Sequence, residues 1–147
     1  MKIDPDQATL QARWHRPDRV FFAKGACHIL AEVFLRRHAE GFRPVLIWPA
    51  SGFRGSHVFV TDGATVFDWH GYSAYEPFLT HALAKLRRQQ AGWAGELIPI
   101  EGSPAGKAFC TQYSHRRPEQ FYGDVITRAE AFLDRFRNAP WGGRQRV

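Results

Sequence analysis

The sequence predicts an α+β domain, a small antiparallel sheet packed by helices, and three observations carry that expectation. Residues 25–35 place Cys27, Leu30, Ala31, Phe34 and Leu35 at helical spacing, with Ile29 and Val33 widening the apolar surface. Residues 57–60 and 65–69 are short apolar runs on either side of Asp62-Gly63, a dipeptide that favours a hairpin turn. The order of patterns along the chain is helix, helix, strands, helix, strand, helix, which belongs to that class. A chain of 147 residues is long enough for one domain with a real core. We expect residues 1–140 to form a single α+β domain and residues 141–147 a solvated basic tail.

Each element has its own signal. Asp4-Pro5-Asp6 starts a short helix, with Pro5 at its first position, that runs to about Arg16 and is ended by Pro17. Residues 18–24 lead into the Cys27 helix, which stops near Gly41. In that helix only His28, Glu32 and Arg36 form a polar stripe, so most of its surface should be buried. Residues 44–48 read as a strand, and residues 49–56, rich in Gly and Ser, as a loop. Ser73-Ala-Tyr-Glu76 matches a capping box and opens a helix to about Gln90, with Phe78, Leu79, Leu83 and Leu86 facing inward. Residues 96–100 form an edge strand, because Pro99 cannot donate to a ladder. Residues 101–117 read as a long loop with a short strand near Phe109. Pro118 then starts a last helix to about Arg137, apolar at Phe121, Val125, Ala129, Phe132 and Phe136.

Composition narrows the function. Hydrophobic residues make up 44% and charged residues 23%, ordinary for a soluble globular protein. The formal charge of +6 favours acidic partners. Two cysteines without motif spacing exclude a disulfide scaffold and a zinc ribbon. No apolar run follows the first six residues as a signal peptide requires. The stretch from Val20 to Leu35 is broken by Lys24, His28 and Glu32, so it does not span a membrane. A cytoplasmic, reducing location is the expectation.

The chemistry concentrates on three residues. Cys27 falls in the first turn of its helix, where unpaired N–H groups and the positive end of the dipole favour a thiolate; Gly25 should leave space beside the sulfur. With Asp62-Gly63 as the central turn residues, Val60 faces Thr65, Phe59 faces Val66 and His57 opposes Asp68. Side chains so opposed share a face, with Cβ atoms roughly 5 Å apart. The carboxylate would orient the ring, fix its tautomer and stabilise imidazolium. Both strands are apolar on both faces, so the pair should be covered on both sides.

A cysteine at a helix start, a histidine on a strand and a carboxylate closing the next strand is a triad order. It resembles the papain-like superfamily, and within it the transglutaminase-like branch. The residues that carry the resemblance are Gly25-x-Cys27, Ala31, Leu35-Arg36, Gly41-Phe42 with nearby Pro44, His57-Val-Phe59 and Phe67-Asp68. They cover about a third of the chain. The chain departs from the pattern in placing His28 after the cysteine and Phe59 where the branch has Trp. The resemblance implies Cys27 as nucleophile, His57 as general base and Asp68 as the orienting acid, with acyl transfer through a thioester. Trp48 and His70 are the candidates for lining the substrate cleft. Amide hydrolysis of an acidic protein or peptide is the expected reaction, with no cofactor and no metal; peptidase, deamidase, transglutaminase and acetyltransferase share this chemistry, and the sequence does not choose between them.

Three rivals compete with that reading. Cys27, His28, His57, Asp68 and His70 are possible zinc ligands, though no i, i+4 His pair or Cys-x-x-Cys supports a site. Arg87-Arg88, His115-Arg-Arg117 and the Arg-rich tail would suit a nucleic-acid-binding module, but these residues are dispersed and interleave poorly with aromatics. Cys110 is the alternative thiol and reads as structural.

Overall fold

The computed structural model describes residues 6–38 and 40–136. The expected start at Asp4-Pro5, the tail at 141–147 and the stretch beyond Phe136 lie outside the described residues. Asp6 caps the first helix, α1 (Gln7–Trp14), by accepting from the Thr9 N–H at 2.8 Å. Residues 18–24, expected only as a lead-in, form a helix of their own, α2 (Asp18–Ala23). The Pro17 carbonyl accepts its first turn, and Phe21 and Phe22 bury on its inner side. The cysteine helix is α3 (Cys27–Arg37), which ends short of Gly41.

Five strands form one antiparallel sheet among the described residues: β1 (Arg43–Pro49), β2 (His57–Thr61), β3 (Thr65–Asp68), β4 (Gly71–Ala74) and β5 (Gly95–Pro99), in the order β4-β3-β2-β1-β5. The strands expected at 44–48, 57–60, 65–69 and 96–100 are present, with β5 at the edge with its proline, whereas the short strand expected near Phe109 is helix instead. β4 was not expected. Ser73, read as a helix cap, pairs with Val66 instead, and α4 (Tyr75–Gln89) begins after Ala74 with no side-chain cap. Ser73 is committed to the ladder, so its hydroxyl does not open the helix.

Alternation along the strands divides the core in two. Leu46, Val58, Val60 and Phe67 meet the apolar side of α3 and of α6 (Val125–Leu133). Ile47, Phe59 and Val66 meet Tyr75, Phe78, Ala82, Leu83 and Leu86 of α4, with Trp93 beside them. Leu79 stands outside that cluster. The sheet is therefore covered on both faces, as its two-sided apolar pattern requires.

The C-terminal third differs most from expectation. Residues 101–117 contain a helix, α5 (Lys107–Gln112), with Phe109 and Cys110 buried. Six residues are too few to show helical periodicity in sequence. Pro118 opens only a 3₁₀ turn, Pro118–Gln120, so Phe121 precedes the last helix. Asp124 stops any continuous run, because its carboxylate caps α6 through the Thr127 N–H at 3.1 Å. A second 3₁₀ turn, Asp134–Phe136, follows.

Gly71 closes the short link that returns the chain from Asp68, with which it pairs. Its φ is +100°, and a Cβ there would lie 2.9 Å from the Phe136 ring. Gly71→Ala should lower the unfolding free energy by about 1–3 kcal/mol, by backbone strain and crowding together. Urea titration checks this, and wild-type stability in the variant would contradict it.

Candidate active site

Cys27 is the first residue of α3, and Ala26 at the cap position has no side-chain oxygen to occupy the free N–H groups. Gly25 precedes it with φ of +118°, and a Cβ placed there would meet nothing within 4 Å. Glycine is therefore favoured by the turn into α3, and the space around it is open. The Cys27 side chain is buried, and its Sγ accepts from the Val58 N–H at 3.3 Å. That contact ties the start of α3 to the start of β2.

His57 and Asp68 meet, but by a different register from the one expected. The hairpin pairs Thr61 with Val66 and Val60 with Phe67, two residues out of step with the sequence reading. The turn is wider because the Asp62 carboxylate accepts from the N–H groups of Ala64 and Thr65, at 2.9 and 2.7 Å. The Thr61 hydroxyl braces the same loop, donating to the Thr65 carbonyl at 2.7 Å. This register carries Asp68 opposite Phe59 instead of His57. A slip of two preserves the face, so the carboxylate reaches the ring along the diagonal. His57 Nε2 lies 2.9 Å from Asp68 Oδ2, with the two side chains 16% and 3% exposed. The other oxygen, Oδ1, accepts the His70 N–H at 2.9 Å.

Two further imidazoles surround the thiol; sequence reasoning offered His28 only as a possible metal ligand and did not place His115 at the site. His28, read as part of a polar stripe, is fully buried, and its Nε2 bonds the Arg116 carbonyl at 2.6 Å. His115 Nδ1 bonds the Tyr113 carbonyl at 2.7 Å, and its ring meets His28 edge-on with centroids 4.7 Å apart. The adjacency of His28 to Cys27 was a usable signal. His115 carried none, since only the tertiary path of residues 113–116 brings it there. Ser114, with φ of +56°, makes the bend in that path.

Trp48 is half-buried and packs edge-on to Tyr113, with centroids 5.0 Å apart, so it supports the segment that carries His115. His70 is exposed and contributes its backbone N–H to Asp68. A shallow pocket beside Gly25 is lined by Arg13, Trp14, Lys24, Arg116, Phe121 and Tyr122, with Leu10 and Phe21. Sequence reasoning did not identify it.

The electrostatics set the two thiols apart. Burial would push the Cys27 thiol up, but the imidazoles of His115, His28 and His57, and the charge on His57, hold it well below its ordinary value. Burial would lower His57; its hydrogen bonds to Asp68 and Cys27 and their negative charges outweigh that and raise it to about 10. The two shifts favour a thiolate–imidazolium pair across the neutral range. Burial lowers the pKa of His28. Cys110 is buried in α5 and its thiol is pushed up to about 11. Both cysteines are free.

Comparison with protein-family models, with curated proteins and with solved structures gives no match. No helix among the described residues is long and apolar enough to cross a membrane. Of the expected metal ligands, the described residues bring Cys27 and His28 together with His115; His57, Asp68 and His70 are outside that cluster.

Iodoacetamide should label Cys27 faster than Cys110 at pH 6–7, by at least about tenfold, because the thiolate is the nucleophile and only Cys27 has its pKa lowered. Mass spectrometry of the labelled peptides checks this. Equal rates at the two residues would show that the environment of Cys27 does not activate it.

Proposed function

We propose that the protein is a cysteine-dependent acyl-transfer enzyme that hydrolyses an amide bond of a protein or peptide through Cys27, His57 and Asp68. The observation that carries this reading is the buried His57–Asp68 bond of 2.9 Å on a ring whose pKa is raised to about 10 beside a thiol whose pKa is lowered. A papain-like core of the transglutaminase-like branch fits the order of elements: nucleophile at a helix start, histidine at the start of one strand, carboxylate at the end of the next.

The roles follow from the chemistry of the groups. The Cys27 thiolate attacks the carbonyl carbon, and the Cys27 N–H at the helix start donates to the oxyanion. His57, protonated, gives its proton to the leaving amine as the carbon–nitrogen bond breaks. The thioester that forms is then attacked by water, from which His57 removes a proton, and the thiolate departs. Asp68 accepts from His57 Nε2 throughout, which directs Nδ1 toward the sulfur and stabilises the cation. The pocket beside Gly25 carries Arg13, Lys24 and Arg116 among aromatic rings, which favours an acidic side chain of the substrate.

Cys27→Ala should abolish turnover with the fold intact, since alanine suits a helix start. His57→Ala should be nearly as damaging. Asp68→Asn should cost about 10²–10⁴ in kcat, and the losses should not add because the residues act as one unit. A panel of acidic peptides, glutamine donors and acyl esters, followed by release of amine or acid, provides the assay. Equal rates for wild type and Cys27→Ala on a substrate so found would refute the thiol mechanism.

The pH profile gives a separate check. The leaving group needs the protonated form of His57, so kcat/KM should fall as pH rises through about 10. Asp68→Asn removes a cause of the raised value, so the alkaline limb should move to lower pH. An unmoved limb in that variant would mean that another group sets it.

A further inference from the structure

We propose that Cys27, His28 and His115 form a binding site for a thiophilic divalent cation of the zinc type, held by Sγ, Nδ1 and Nε2 respectively. The ligand atoms of these three residues lie within 4.8 Å of one another. The hydrogen bonds of the two rings determine which nitrogens face the centre. A backbone carbonyl only accepts, so the ring nitrogen bonded to it must be the one that carries the proton. In neutral His28 that is Nε2, donating to the Arg116 carbonyl; in neutral His115 it is Nδ1, donating to the Tyr113 carbonyl. The remaining nitrogens, His28 Nδ1 and His115 Nε2, each keep a lone pair for the thiol between them.

The sulfur has the Val58 N–H as a donor at 3.3 Å, and in the neutral tautomers the two ring nitrogens that face it offer only lone pairs. His28 Nδ1 bears this out: it is buried in a residue with no exposed surface, and no hydrogen-bond partner satisfies it. An unpaired polar atom in that position is costly, and a cation in the midst of the three satisfies all of them at once. Both rings already have the outer support that metal-bound histidines use, the second N–H given to a backbone carbonyl.

The donor set selects the metal. One sulfur and two nitrogens, with no carboxylate among them, suit zinc and related borderline ions and disfavour magnesium or calcium. Zinc bonds of about 2.0–2.3 Å place tetrahedral ligands about 3.5 Å apart, so the three side chains need to close by about an ångström. The fourth position belongs to solvent or substrate. A cation here takes the sulfur lone pair that a carbonyl carbon would need, so occupancy suspends the thiol. That last consequence rests on the acyl-transfer reading; the binding itself does not.

The test is a titration of metal-free protein with cobalt(II) chloride, followed by displacement with zinc chloride. One equivalent should bind, with the thiolate-to-metal charge-transfer absorption of a cobalt–sulfur bond, and zinc should bleach it. Cys27→Ser should remove the band. His115→Ala, a change at a half-buried ring that leaves the sheet untouched, should weaken zinc binding more than about tenfold. His70→Ala should leave it within about threefold, because its side chain is exposed and outside the cluster. No stoichiometric binding, binding without the band, or a His70→Ala loss equal to that of His115→Ala would overturn the site. Zinc should also protect Cys27 from iodoacetamide; tight binding without protection would overturn the suspension of the thiol. Labelling of the metal-free protein tests the thiol chemistry alone, so the two readings fail separately.

Discussion

The placement of Cys27 depends on how α3 lies across the sheet. The first two turns of the helix are buried between β2 and α6, with Ile29, Leu30, Val33 and Phe34 almost without exposure. A helix packed that closely cannot slide or rotate without opening voids, and core voids are expensive. Its first residue is therefore held where β2 begins, and the 3.3 Å contact from the Val58 N–H to the sulfur records the result. His57 is the residue before Val58, so the same contact that locates the thiol locates the ring. The closeness of thiol and ring is a by-product of core packing.

Burying a thiolate and an imidazolium is unfavourable unless each ionised group is answered by another. The site answers by pairing. His57 stands between the sulfur and Asp68, and Asp68 in turn receives the His70 N–H. The carboxylate thus has both oxygens engaged, one to a ring and one to the backbone of the turn that Gly71 closes. Aromatic surface from Phe59 and Phe78 lies near the ring, with centroids 6.4 and 6.5 Å away, and limits the water that would otherwise screen the charges.

Local signals made the sheet and the His57–Asp68 pair legible, and long-range packing hid the rest. The Asp62-Gly63 turn and the flanking apolar runs located β2 and β3, and the helical spacing after Gly25 located α3. The hairpin was read two residues out of register because the side chains of Thr61 and Asp62 widen the turn. The even slip left His57 and Asp68 on one face, so the pairing survived the error. β4 and α5 are four and six residues long, below the length at which a period can be recognised. His28 was read as part of a polar stripe, whereas it is fully buried and a carbonyl 88 residues away satisfies its Nε2. His115 depends on that same distant segment, and no pattern around it in the sequence gives its destination.

The segment at 113–116 therefore has a role out of proportion to its length. Its two carbonyls fix the tautomers of two rings, and the Arg116 carbonyl also receives the Cys110 thiol at 3.7 Å. The bond from His28 to Arg116 joins α3 to the C-terminal third across 88 residues, and such contacts form after local structure during folding. A nascent chain that has emerged only through β3 holds Cys27, His57 and Asp68 but neither of the carbonyls nor His115. The thiol acquires its full set of neighbours only when the late-synthesised segment docks, so the chemistry of one sulfur reports on the completion of the whole domain.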